Sequence, residues 1–176
     1  MWTDALGNPV TLESGGASLG ALNDFVEGFI ASEARAVNIL SAAGDPSPIV
    51  QACVAAVQMF AESRDAAANA RPFIERARAH ASRTTPREQR FVEAVGAWVD
   101  GDVPKAIACH EAQAAEHPRD LASLKLGQYH LFNRGDSPGM LRIALKALRG
   151  AGDVPYLHGM LAFGWEQCHA LAEAER

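Results

Sequence analysis

The stretch that decides the fold is GDVPKAIACHEAQAAEHPRD, which runs from Gly101 to Asp120. It opens on the turn residues Gly101-Asp102 and continues with a run of residues that favour helix. The run ends at His117-Pro118, because proline cannot continue a helix. We therefore predict a helix over 103–116 that forms one half of a helical hairpin.

The composition narrows the class of protein. The chain has 176 residues, of which 48% are hydrophobic and 21% charged, so it can bury a core. A net charge of −5 argues against a nucleic-acid partner. No apolar run approaches the length of a membrane span, so we expect no membrane partner. Three cysteines at irregular spacing form no disulfide framework, and we expect a reducing, cytoplasmic compartment.

Start and stop signals divide the chain into helices. Residues 1–17 are rich in turn residues and predict an extended N-terminal segment. Beyond it, ten helical segments and no strand are predicted. Thr85 and Glu88 have the spacing of a capping box, and Asp120 is placed to cap the following helix. Pro72 would break a helix interior, so we expect its helix to begin near 69–71.

The helices recur with a regular period. Units begin near residues 15, 49, 87, 121 and 155, at steps of 34, 38, 34 and 34. This period predicts an all-α, right-handed solenoid of antiparallel helix pairs of the tetratricopeptide type. We predict about five repeats, at 15–48, 49–86, 87–120, 121–154 and an incomplete 155–176. Ala34 and Ala106 occupy the predicted positions where paired helices cross closely.

An ordered set of motifs resembles one particular family. DALGNPV at 4–10, TTPREQRFVEAV at 84–95, and GDVPKA followed by EHPRDLASLK within 101–125 resemble the tetratricopeptide repeat protein 38 family. The resemblance covers nearly the whole chain and implies a helical-repeat protein without an established catalytic activity. Histidine-rich helices that such proteins carry further along are missing here, so no function can be carried over from them.

Two adjacent pairs, Cys109-His110 and Cys168-His169, raise the possibility of a metal or thiol site. Neighbouring helical residues point about 100° apart, so one such pair chelates poorly from a single face. The remaining histidines are scattered singly. We predict buried cysteines, partly exposed histidines, no metal and no cofactor.

Arginines cluster between residues 71 and 90. That window contains six arginines and two glutamates, which gives a local charge of +4. Two interpretations remain open, an anionic partner or a solvated convex face, and we favour the solvated face.

The repeat register predicts which side chains line a concave groove. The predicted site residues are Phe91, Val95, Trp98, Lys125, Tyr129, Phe132, Tyr156 and Phe163. Such an aromatic groove with a few polar groups suits a protein or peptide partner. The alternative is that these residues pack against further repeats. We predict a non-catalytic binding scaffold, the second hypothesis being the helical part of an enzyme whose active residues lie beyond residue 176.

The last predicted repeat stops in its second helix. Repeat arrays need a terminal helix with a polar outer face, and no such helix follows HALAEAER at 169–176. We therefore expect the chain to be part of a longer array. An open apolar end of this kind also predicts self-association through the C-terminal end.

Overall fold

The computed structural model describes residues 1–175, and its helices confirm the all-α prediction. Ten helical segments were predicted, and nine of them are α-helices in the described residues. These are α1 (Leu19–Ala31), α2 (Pro48–Met59), α3 (Ala66–His80), α4 (Pro86–Val99), α5 (Val103–Glu116), α6 (Leu121–Asn133), α7 (Ser137–Ala151), α8 (Pro155–Gln167) and α9 (Leu171–Ala174). Helix α5 has the bounds predicted from its sequence.

The N-terminal segment departs from the prediction that the chain has no strand. Strands β1 (Trp2–Thr3) and β2 (Pro9–Val10) pair antiparallel. A turn joins them, in which the Gly7 amide donates to the Asp4 carbonyl over 3.0 Å. Gly7 has a φ of 85°, a conformation that costs glycine little. Strands of two residues are too short to show an alternating pattern in the sequence.

For the first predicted helix pair, the prediction of the second helix was wrong. Residues Ala34–Ala42 form a 3₁₀ helix and not the predicted α-helix. Ile39 is the buried residue of this segment, so the segment lacks the broad apolar face that packs an α-helix on its neighbours. Ala34 is exposed and does not mark the crossing. The close approach is between Gly28 and Ala36, where a Cβ on Gly28 would lie 2.6 Å from the Ala36 nitrogen. Ala106 is buried, as its predicted crossing position requires.

The start of α3 was also predicted wrongly. The helix begins at Ala66, so Pro72 lies in its interior and not in its first turn. The buried residues Ala66, Ala70, Ile74 and Ala77 recur at helical spacing on both sides of the proline. Pro72 and Ala68 are exposed, so water can bond the Ala68 carbonyl that a proline leaves without its donor. The burial of one continuous face of α3 therefore outweighs the cost of a proline in the helix interior.

The helices pack into two compact units. In the N-terminal unit, residues 1–109, α1 packs on the 3₁₀ helix and α2 on α3, while α4 contacts both α2 and α3. In the C-terminal unit, residues 110–176, α6 packs on α7, α7 on α8, and α8 on α9. Consecutive helices thus pack on one another within each unit. None of the helices described is long and apolar enough to cross a bilayer.

Residues 1–17, here called the N-terminal strap, are held by side chains of the N-terminal unit. The Thr11 amide donates to the Glu88 carboxylate over 2.8 Å, and the Arg87 guanidinium donates to the Pro9 carbonyl over 3.0 Å. The Glu13 amide donates to the Ser47 hydroxyl over 2.7 Å. Leu6, Val10 and Leu12 of the strap are buried. The strap is therefore part of the core of this unit.

Candidate functional site

The structure divides the predicted groove residues into two groups. Phe91, Val95 and Trp98, all on α4, are buried in the core of the N-terminal unit. The Trp98 ring meets the Phe60 ring edge-on, with centroids 5.1 Å apart. Their side chains are occupied by core packing, so the expectation that they line an open groove is not met. Apolar residues at helical spacing fit a core and a groove equally well, which is why the sequence did not separate the two.

Four of the five residues predicted in the C-terminal unit come together around a cavity. Lys125, Tyr129 and Phe132 lie on α6 at intervals of four and three residues, which places them on one helix face. They line a cavity of about 190 Å³ with Gln128 and with Phe163 of α8. The Phe132 and Phe163 rings have centroids 5.8 Å apart. We call this feature the aromatic cavity.

The aromatic rings at this cavity are accessible. Phe132 is 49% exposed and Phe163 is 39% exposed, whereas large apolar side chains are more often buried. Tyr156, also predicted as a groove residue, is 40% exposed on α8 but is not among the residues that line the cavity. Adjacent exposed aromatic side chains are typical of interaction surfaces.

Gln128 is a cavity residue that the sequence analysis missed. Its side-chain amide donates to the carbonyl of Met140 over 2.9 Å and to that of Met160 over 3.0 Å. The side chain is buried, and these bonds tie α6 to both α7 and α8. An amide inside an otherwise apolar helix face was the available signal. Gln128 fixes the spacing of the helices that form the cavity.

Lys125 is the cationic residue of the aromatic cavity. Its side chain is half-buried, and burial lowers the pKa of its amine below the usual value. The cavity therefore offers an apolar interior with one basic group.

No known protein family, curated protein or solved structure matches the chain. The family resemblance therefore stays a prediction, and the function has to be argued from the geometry of the C-terminal unit.

Two histidines of that unit are paired in its interior. The rings of His110 and His130 stack with centroids 5.8 Å apart, and His110 Nδ1 lies 2.7 Å from the Ser123 hydroxyl. His110 is buried, so the prediction that it is partly exposed was wrong, and His130 is buried as well. Burial, and then the neighbouring His130, lowers the pKa of His110 to about 3, while burial lowers that of His130 to about 4. Both are therefore neutral at pH 7.

The thiol of Cys109 is not activated. Cys53 is buried and Cys109 is half-buried, and burial raises the pKa of the Cys109 thiol. A raised pKa leaves less thiolate, which is the reactive form. Within residues 1–175, no group of three or more His, Cys, Asp and Glu side chains is arranged to hold a metal ion. The absence of a bound metal stays a prediction.

Three arginines of the cluster make contacts within the protein. The guanidinium groups of Arg71 and Arg78 lie 3.1 Å and 2.6 Å from the two oxygens of Asp100, and the hydrogen bond from Arg78 is the main reason that the pKa of Asp100 is lowered. Arg76 lies over the Phe73 ring at 4.8 Å. The anionic partner and the solvated face both stay predictions.

A second cavity lies between α8 and α9. It has a volume of about 400 Å³ and is lined by Gly159, Ala162, Phe163, Glu166, Leu171, Ala174 and Glu175. Leu171 is 59% exposed, which leaves an apolar side chain at this end of the C-terminal unit. The self-association expected there stays a prediction.

Proposed function

We propose that the chain is a non-catalytic helical-repeat scaffold of the tetratricopeptide type that binds a peptide or a peptide segment of a partner protein. The binding site is the aromatic cavity. The observation that carries the proposal is the convergence of Lys125, Tyr129, Phe132 and Phe163 around a cavity whose two phenylalanine rings are exposed.

Helix packing supports the repeat interpretation. Helices α2 and α4 are the first helices of successive predicted repeats, and they pack on each other as well as on the intervening α3. The Phe132–Phe163 contact joins α6 and α8, which have the same relationship in the C-terminal unit. Phe60, Trp98 and Phe132 each lie eleven residues after a predicted repeat start. An aromatic residue therefore recurs at the same position of the second, third and fourth predicted repeats.

The volume of the cavity favours a peptide over a metabolite. Small-molecule sites usually measure about 300–1,000 Å³ and enclose most of their ligand. The aromatic cavity measures about 190 Å³, which is enough for one apolar side chain. Aromatic residues in such a position supply much of the binding energy in protein interfaces. A side chain presented by a longer peptide therefore fits the site.

The proposal is tested by selecting peptides from a random library and measuring their affinity by calorimetry. Phe132→Ala should weaken binding of a selected peptide about tenfold or more, because it removes an exposed aromatic contact. Leu145→Ala is the matched control, since Leu145 is 42% exposed on α7 and does not line the cavity. Thermal unfolding of both variants should stay close to that of the unmodified chain. Absence of any selected peptide, or equal affinity for the Phe132 variant, would contradict the proposal.

A further inference from the structure

Phe163 connects the aromatic cavity with the second cavity, and the inference drawn from this connection rests on the proposed function. The Phe163 side chain lines both cavities, so they adjoin on α8. Gly159, Phe163 and Glu166 follow one another at intervals of four and three residues, which places them on one face of that helix. All three are exposed. A peptide that fills the aromatic cavity can therefore continue along this face into the second cavity.

The second cavity is open to water. Five of its seven lining residues are exposed. Small-molecule sites instead enclose most of their ligand. A Cβ added at Gly159 would meet open space among the described residues, so the cavity has room for a side chain that comes from outside. An open cavity of about 400 Å³ therefore suits a side chain presented by a longer peptide.

The second cavity carries the opposite charge to the aromatic cavity. Glu166 and Glu175 are among its lining residues, whereas Lys125 lines only the aromatic cavity. Neither glutamate forms an ion pair with another side chain in the part of the chain that the structure describes. Phe163 and Leu171 give the same cavity an apolar wall. Two carboxylates beside an apolar wall attract a cation that is attached to an apolar stem.

We propose that the second cavity selects a basic residue in the bound peptide. One apolar side chain of the peptide enters the aromatic cavity. An Arg or Lys two to four residues away lays its aliphatic stem on Phe163 and Leu171, and its charged group lies beside Glu166 and Glu175. This spacing is short because Glu166 lies only about 4.5 Å beyond Phe163 along the helix axis, and an extended peptide advances about 3.3 Å per residue.

The first experiment measures binding of short fluorescent peptides with blocked ends. Each contains one Leu or Phe and one Arg two to four positions away, in a Gly-Ser background. Matched peptides carry Gln or Glu in place of Arg. The best Arg peptide should bind about threefold to fivefold more tightly than its Gln counterpart at low salt, and the Glu counterpart should bind most weakly. The differences should shrink as salt is added, because ions screen exposed charges.

Charge variants assign this preference to the second cavity. Glu166→Gln/Glu175→Gln keeps the shape of both side chains and should bind the Arg and Gln peptides with similar affinity. Glu75→Gln/Glu173→Gln is the matched control, because it removes two exposed carboxylates that do not line the cavity. This control should keep the preference for Arg.

A blocking variant tests the cavity itself. Gly159→Leu places a side chain in the open space of the second cavity, and leucine favours helix more than glycine does. The variant should lose the preference for Arg and keep its affinity for the Gln peptide, since Gly159 does not line the aromatic cavity. Gly20→Leu is the control, because Gly20 is a helical glycine of α1 whose added Cβ would also meet open space. Thermal unfolding should show that neither variant is less stable than the unmodified chain.

The outcomes separate this inference from the proposed function. Equal binding of the Arg and Gln peptides to the unmodified chain, with Phe132→Ala still weakening both, would overturn the basic residue and leave the peptide-binding site standing. Loss of the preference in Glu75→Gln/Glu173→Gln would overturn it too, because the charge of the whole chain would then be the cause.

An unchanged preference in Gly159→Leu would likewise overturn the inference. If sedimentation showed that Gly159→Leu instead abolished self-association, the occupant of the second cavity would be a second copy of the chain. If no peptide bound to the unmodified chain, both proposals would fail.

Discussion

At the scale of single residues, the least expected feature is the buried pair His110 and His130. They lie twenty residues apart in the sequence, on α5 and α6, and meet through the packing of the C-terminal unit. Gly127 permits this approach, since a Cβ there would lie 2.9 Å from the His110 Cβ. Buried neutral histidines couple stability to pH, because unfolding returns each ring to water and to its usual pKa.

The pair predicts a loss of stability in mild acid. The folded-state pKa values of about 3 and about 4 lie below the usual 6.5, so protons bind more readily to the unfolded chain. The stability that the protein has with both histidines neutral is therefore fully present above pH 6.5 and is lost as the pH falls towards 4. Each histidine should lower the free energy of unfolding by about 1.4 kcal/mol per pH unit within this interval. Urea unfolding measured between pH 7.5 and 4.5 checks this slope.

Variants identify the groups that cause the loss of stability in mild acid. The double variant His110→Gln/His130→Gln should flatten the dependence on pH, whereas His158→Gln, at an exposed histidine, should leave it unchanged. Burial opposes ionisation of Asp45, yet the hydroxyls of Ser14, Ser18 and Ser47 hold its pKa below 3.8, so its contribution is lost only at lower pH. An unchanged slope in the double variant would show that other groups cause the loss.

At the scale of helices, the caps of α4 and α6 follow the sequence, whereas the path of α3 does not. The Glu88 amide donates to the Thr85 hydroxyl over 3.3 Å, and the Glu88 carboxylate accepts from the Thr85 amide over 2.9 Å, which completes the predicted capping box. Asp120 accepts from the Ser123 amide, as predicted for its cap. Caps depend on neighbours within four residues. The path of α3 through Pro72 depends instead on burial against α2 and α4.

Replacing Pro72 should therefore stabilise the protein. Pro72→Ala restores an amide donor to the Ala68 carbonyl and should raise the free energy of unfolding by about 1–3 kcal/mol, after the greater freedom of the unfolded chain is deducted. Pro86→Ala is the matched control, since Pro86 stands at the first position of α4, where a missing amide costs nothing. Chemical unfolding that shows no gain for Pro72→Ala would mean that the proline is already accommodated without cost.

At the scale of the whole molecule, the chain forms two units, and the strap connects distant parts of the first. Glu88 is fully buried and accepts from the Thr11 amide and hydroxyl as well as from Thr85. Thr11 and Glu88 lie 77 residues apart in the sequence. The capping residue of α4 therefore also holds the N-terminal strap.

Loss of the Glu88 carboxylate should release the strap. Glu88→Gln replaces one of the two acceptor oxygens by an NH2 donor, which then faces either the Thr11 amide or the Thr85 amide, and should cost about 1–3 kcal/mol. Hydrogen exchange at the Thr11 amide should accelerate. Glu93→Gln, on the exposed face of the same helix, should change stability by less than about 0.5 kcal/mol. Equal exchange at Thr11 in both variants would show that other contacts hold the strap.

The sequence was sufficient for features that depend on neighbouring residues. Most of the helices, the caps at Thr85 and Asp120 and the bounds of α5 follow from spacing, propensity and turn residues. The grouping of Lys125, Tyr129 and Phe132 on one helix face also follows, because a helix of known register places such residues together. These features need no information about the distant parts of the chain.

Tertiary structure decided which of the predicted faces are open. Trp98 and Phe132 have equivalent positions in their predicted repeats, yet Trp98 packs on Phe60 in the core while Phe132 is exposed beside Phe163. Tertiary packing also accounts for three other features. These are the histidine pair, the anchoring of the strap by Glu88 and the continuation of α3 through Pro72. Burial depends on what other elements cover a face, and residues far away in the sequence supply that cover.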